Sequence, residues 1–85
     1  MKASALELAP EGIRVNAVAP TFVDTPLTKP FFEDKAFSDW VFERMPIQRL
    51  ATVEEVAAAV VYLAAPVSAS VTGTSLAVDG GWTAQ

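Results

Sequence analysis

The spacing of apolar positions changes several times along this chain, and each change marks an element. Residues 2–9 have helix-forming composition with Leu6 and Leu8 as apolar contacts, and Pro10, Glu11 and Gly12 break the run. The pattern predicts a helix tail over residues 1–10; two turns without an N-cap are marginal alone, which points to a helix that began upstream. From Ile13 the period drops to two. Ile13, Val15, Ala17 and Ala19 alternate with Arg14, Asn16 and Val18 up to Pro20, predicting a strand over residues 13–19. Pro20, Pro26 and Pro30 punctuate a loop over residues 20–30. Aromatics crowd the next stretch, with Phe37, Trp40, Val41 and Met45 near helical spacing, so one or two short amphipathic helices are expected within residues 31–45. Thr52, followed three residues later by Glu55, is a capping box, and Val53, Val56, Ala57, Val60, Leu63 and Ala64 keep the helical period until Pro66. A helix over residues 52–65 is predicted, apolar on more than one face. Val71, Thr72, Thr74 and Val78 then predict a second strand over residues 71–78, closed by Asp79-Gly80-Gly81.

Strand, helical excursion and strand form a crossover unit, which normally returns to a parallel, right-handed pairing within one sheet. The fold class is therefore α/β. Two parallel strands alone leave both edges open, so neighbouring strands are expected from elsewhere. With 85 residues, 52% hydrophobic and only 19% charged, the chain is too apolar for disorder and greasy for a small free-standing unit. A net charge of −4 with six scattered Lys and Arg argues against nucleic acid as a partner. The chain contains no cysteine and no histidine, which removes disulfides, thiolate or imidazole metal ligands and the usual neutral-pH base, and suits a cytoplasmic setting. No metal site is expected. Residues 56–65, the longest apolar run, are too few to span a bilayer, and Glu7 interrupts any signal-like N-terminal stretch, so no membrane role is expected.

Four segments carry a further signal: Gly12-Ile13-Arg14-Val15-Asn16-Ala17-Val18-Ala19-Pro20, Val23-Asp24-Thr25-Pro26, Thr72-Gly73-Thr74 and Val78-Asp79-Gly80-Gly81. Together they resemble the C-terminal part of a short-chain dehydrogenase/reductase, over about residues 5–82. The resemblance implies the C-terminal portion of a Rossmann-like doubly wound parallel sheet, with NAD or NADP as cofactor and a small-molecule alcohol or ketone as substrate. It implies that Pro20, Val23 and Thr25 face the nicotinamide, the Val23 amide and Thr25 hydroxyl holding the carboxamide, and that residues 31–45 form a substrate lid carrying Phe37, Trp40 and Val41. Aromatics at helical spacing also serve as plain core, and that reading stays open for each of them. The family usually has glycine after the proline, where this chain has Thr21. Pro20-Thr21-Phe22 and Thr25-Pro26-Leu27-Thr28-Lys29-Pro30 look most like sugar or sugar-acid dehydrogenases of the gluconate type.

The family's working residues, a Ser, a Tyr-x-x-x-Lys pair and a glycine-rich phosphate turn, have no match here. Tyr62, the one tyrosine, is followed by Pro66 at the fourth position, Lys2 lies downstream of the family's active lysine, and all four glycines stand elsewhere. No catalytic residue is therefore assigned, and the chain reads as part of an NAD(P)-dependent oxidoreductase that is inactive alone. Arg49 matches a recurrent family position with an expected structural bridge to loop carbonyls or to Glu55, and Asn16 either ties its strand to the following loop or sits half exposed. Lys29, Asp34, Lys35 and Glu43 are read as solvated surface. In relatives, the elements matching residues 52–65 and 71–78 build a homo-oligomer, tetramer or dimer. A non-catalytic oligomerisation module derived from such an enzyme is therefore the competing expectation.

Overall fold

Thr52 and Glu55 start the longest helix as their spacing requires. In a computed structural model describing residues 1–84, the Glu55 amide donates to Thr52 Oγ1 at 3.0 Å and the Thr52 amide to Glu55 Oε1 at 2.8 Å. Two of the otherwise unpaired donors at the helix start are satisfied reciprocally. This helix, α4, runs Val53–Ala64, inside the expected residues 52–65 because Thr52 and Ala65 are its caps. Ahead of it come α1 (Lys2–Leu8) with a 3₁₀ turn at Ala9–Glu11, β1 (Ala17–Pro20), α2 (Lys29–Phe32) and α3 (Lys35–Glu43). Behind it come a 3₁₀ turn at Pro66–Ser68, β2 (Ser75–Val78) and a last 3₁₀ turn at Trp82–Ala84.

β1 and β2 pair in parallel, Ala17 opposite Ser75 through Pro20 opposite Val78. Pro20 is tolerated at the end of β1 because the next donor toward β2 comes from Thr21, whose amide reaches the Val78 carbonyl at 3.3 Å. Both strands are shorter than their alternation predicts, which had them at residues 13–19 and 71–78. Side chains take over the ladder's work in the missing parts: the Val15 amide donates to Thr72 Oγ1 at 3.1 Å, and Asn16 donates from Nδ2 to the Val71 carbonyl and accepts the Thr74 amide at Oδ1. Asn16 thus ties its segment to the approach of β2, not to the loop after β1 and not as an idle half-exposed residue.

Ala59 and Leu63, one turn apart on α4, are the buried positions of that helix, which packs on both strands. Arg14 locks the far end of α4, donating to the carbonyls of Leu63 (2.7 Å), Val71 (3.1 Å) and Ala65 (3.4 Å). A cation there satisfies orphan carbonyls and complements the negative helix end. Val41, Met45 and Ala51 are buried as well, and Ala5 is covered beside Gly73. Asp34, read from sequence as idle surface, is the N-cap of α3, its Oδ1 accepting the Ala36 and Phe37 amides at 3.0 and 3.4 Å; Lys35 pairs with Asp39 one turn on.

Candidate functional site

The carboxyl end of β1 delivers the chain into the loop that holds the nicotinamide-side candidates, where ligands gather in open α/β sheets. Pro20 stands exposed at the exit. Phe22 follows with φ of 53°, a left-handed conformation uncommon for a bulky side chain, and Thr21, in the place of the family's glycine, is not in that region. The left-handed residue of this loop is therefore Phe22.

Val23 bridges in parallel to Ala51, through the Asp24 amide on the Ala51 carbonyl (2.8 Å) and the Ala51 amide on the Phe22 carbonyl (3.3 Å). Those bonds use the groups flanking Val23, so its own amide and carbonyl face the opposite side. There the Val23 carbonyl accepts the Thr28 hydroxyl at 2.7 Å, while the Val23 amide donates to nothing among the described residues. Thr28 Oγ1 also accepts the Thr25 amide (3.1 Å), and Thr25 Oγ1 accepts the Thr28 amide (3.3 Å). Because the Thr28 proton goes to the Val23 carbonyl, the Thr25 hydroxyl donates to Thr28 Oγ1 at 3.3 Å and keeps a lone pair to accept a further donor. Thr28, unassigned from the sequence, is the hub of the loop; two threonines three apart around a proline are the signal that points to it.

Above the loop sits an aromatic assembly. Phe22 meets Phe32 edge-on (centroids 5.6 Å apart, planes at 82°) and Phe37 likewise (6.0 Å, 79°), and packs tilted on Trp82 at 5.8 Å. Trp82 continues to Trp40, also at 5.8 Å, and the Arg44 guanidinium lies 4.1 Å from the Trp40 ring centre. Of the proposed lid residues, Phe37 is central to the cluster and half-buried, Trp40 is 48% exposed on its outer side, and Val41 is wholly buried. Val41 therefore belongs to the core. Phe22, Thr28, Phe31, Phe32 and Phe37 line a pocket of about 320 Å³.

The segment after β2 is fixed against the same region. Asp79, 6% exposed, accepts the amides of Gly81 (3.0 Å) and Thr83 (3.1 Å) and the Thr83 hydroxyl (2.6 Å). The Thr83 hydroxyl bond, foremost, holds its carboxyl below the ordinary aspartate range. Gly80 and Gly81 allow close approach to Met45, Pro46 and Ile47, and the Ile47 amide donates to the Gly80 carbonyl at 2.8 Å. The same segment carries Trp82 against Phe22 and Trp40. Arg49 forms a two-pronged pair with Glu55, both bonds 2.8 Å, and donates to the Leu50 carbonyl, which lowers the Glu55 carboxyl to about 2. Tyr62 lies on α4, away in sequence from this loop, and Lys2 Nζ donates to the Gly73 carbonyl at 2.9 Å.

Residues 1–83 match the family model described as enoyl-(acyl carrier protein) reductase, and the chain belongs to that family, within the short-chain dehydrogenases/reductases. Among curated relatives, a tropinone reductase homologue of Arabidopsis thaliana is 46% identical over 79 residues, which cover 93% of this chain and 30% of that protein. A candidate 2-deoxy-d-gluconate 3-dehydrogenase from Agrobacterium tumefaciens, solved with bound NADP, superposes with a TM-score of 0.95 at 39% identity, covering 99% of this chain and 34% of that one. A 4-hydroxyisoleucine dehydrogenase complexed with NADH gives a TM-score of 0.93 at 28% identity, covering 99% of this chain and 35% of that one. The chain thus spans about a third of the length of the relatives it matches. Its α/β architecture is that of the Rossmann-like sheet these proteins share. Among the described residues no helix is long and apolar enough to cross a membrane.

Proposed function

We propose that this chain supplies the nicotinamide-side loop and substrate lid of an NAD(P)-dependent oxidoreductase that interconverts an alcohol and a ketone. The observation that carries this reading is the loop at the carboxyl end of β1, where the Val23 amide has no partner among the described residues and Thr28 ties the Val23 carbonyl to the Thr25 hydroxyl. A nicotinamide carboxamide needs partners of this kind at fixed separation, and a second turn of hydrogen bonds through Thr28 holds them in place. Likeness to an NADP-bound and an NADH-bound dehydrogenase supports NAD or NADP as the cofactor. A bound dinucleotide supplies hydride transfer at its nicotinamide ring. The residues of this chain orient that ring, with Pro20 beside it, and shield the reacting carbon from water beneath the aromatic lid. The proton-transferring Ser, Tyr and Lys and the pyrophosphate turn have no counterparts in these 85 residues, so residues 1–85 alone are expected to be inactive. A sugar or sugar-acid substrate draws its support from the wording of residues 20–30 and from the gluconate-type neighbour. The cysteine-free composition is consistent with a cytoplasmic setting.

In the complete enzyme, Thr25→Ala is expected to raise the KM for NAD(P)H about tenfold, the worth of one hydrogen bond of about 1.4 kcal/mol, with Thr25→Ser restoring it. An unchanged KM in the alanine variant would remove Thr25 from the site. Titration of residues 1–85 with NADH, followed by fluorescence, is expected to show no saturable binding.

The exposed apolar side chains of α4, Val53, Val60, Val61 and Tyr62, favour a second role as an assembly surface, the homo-oligomer forming through α4 and β2. A non-catalytic module would use the same face.

A further inference from the structure

The pocket between the nicotinamide-side loop and the lid has a chemistry that the gluconate-like wording of residues 20–30 does not match. Four of its five lining residues are phenylalanines, Phe22, Phe31, Phe32 and Phe37, and no charged side chain lines it. The fifth, Thr28, has its hydroxyl donating to the Val23 carbonyl and accepting the Thr25 amide, so its bonding is spent inside the loop. A polyhydroxy acid placed here would bury several hydroxyls and a carboxylate without partners, each a desolvation penalty with no return. An apolar ring or chain would meet only ring faces and edges. About 320 Å³ lies at the low end of the roughly 300–1,000 Å³ of small-ligand clefts, room for a compact carbon skeleton.

The rings are also fixed in place. Phe37 contacts Phe22, Phe31 and Phe32, with centroids 6.0, 6.4 and 5.3 Å away, and Phe22 is anchored on its other side by Trp82. Phe22 directly precedes Val23 and the Thr28 hydroxyl donates to the Val23 carbonyl, so two of the pocket's lining residues belong to the loop after β1. We propose that this pocket selects a secondary alcohol or ketone with an apolar, cyclic or branched carbon skeleton, with Phe37 as the residue that sets the preference. This assignment rests on the oxidoreductase reading above and replaces the sugar-acid class that the wording of residues 20–30 suggests.

The test uses the complete enzyme of which residues 1–85 are a part, with NAD and NADP in excess and three alcohols: cyclohexanol, 2-propanol and D-gluconate. Cyclohexanol is expected to exceed D-gluconate in kcat/KM by about 100-fold, the range that mismatched burial of polar groups produces. Phe37→Ala is expected to lower the cyclohexanol to 2-propanol ratio of kcat/KM about tenfold, and Phe37→Leu to recover most of it. That ratio does not depend on the fraction of enzyme that folds. A preference for D-gluconate, or a ratio unmoved by Phe37→Ala, overturns the apolar assignment while leaving the oxidoreductase intact. Absence of turnover of every alcohol with either dinucleotide defeats the oxidoreductase reading itself.

Discussion

Phe22 and Gly80 illustrate two ways of occupying left-handed backbone. Phe22 adopts φ of 53° with a bulky side chain, at a cost of roughly 1–2 kcal/mol, and is held there by three ring contacts. Gly80, at φ of 62°, has no room for more: a Cβ would stand 2.7 Å from Met45 Cε and 3.0 Å from the Ile47 carbonyl oxygen. Gly80→Ala is therefore expected to destabilise by roughly 2–4 kcal/mol, strain and overpacking together. Gly12→Ala, at φ of 77° with nothing within 4 Å, carries only the conformational part, about 1 kcal/mol. Urea midpoints for the two variants measure the difference, and equal losses would mean that the tail contact contributes nothing. Glu55 gives a pH signature. Its folded value of about 2 lies below the ordinary 4.5, so its contribution is complete above about pH 5 and is lost as pH falls toward 2. Melting temperatures between pH 6 and 2.5 should fall less steeply in Glu55→Gln than in the parent. Thr52, Glu55 and Arg49 could be read from the sequence because their partners lie within six residues. Asp34 and Thr28 could not: a short polar side chain near a turn has several local partners, and only the folded backbone chooses among them.

Helix α4 was the clearest element in the sequence because its cap, period and proline stop agree. The strands were less so. Alternation over residues 13–19 marks extended chain, yet the ladder begins only at Ala17, since Asn16 and Thr72 replace backbone bonds that pattern alone assigns to a strand. Arg14, within that stretch, ended up serving the helix. Its three carbonyl partners lie at and beyond the C-terminus of α4, so Arg14→Met is expected to cost about 1.5–3 kcal/mol, more than the roughly 1 kcal/mol of Thr52→Ala at the other end. Chemical denaturation of both variants tests the order. A smaller loss for Arg14→Met would mean that water replaces the guanidinium at those carbonyls. The aromatic cluster is legible in the sequence as a group but not residue by residue. Helical spacing put Phe37, Trp40 and Val41 on one list, whereas packing divides them among pocket, rim and core.

The chain extends 50 × 24 × 19 Å with a radius of gyration of 15.7 Å, against about 12 Å for a compact domain of this length. Two strands without flanking neighbours, and a helix showing Val60 and Val61 at 51% and 67% exposure, leave apolar surface and open edges for something else to cover. An 85-residue polypeptide with six buried apolar residues among those described cannot hide that surface by itself. Residues 1–85 in isolation are therefore expected to associate, and the question is how. If α4 and β2 form a specific interface, light scattering should give one discrete stoichiometry, and Val61→Glu, at a position 67% exposed in the fold, should shift it toward monomer by at least about tenfold in dissociation constant. If instead the surface is the inner face of a larger sheet, the species should be polydisperse, and Val61→Glu should leave its size distribution unchanged because sheet edges remain sticky. The second outcome would remove α4 as the assembly surface while leaving the role proposed for the loop after β1 untouched.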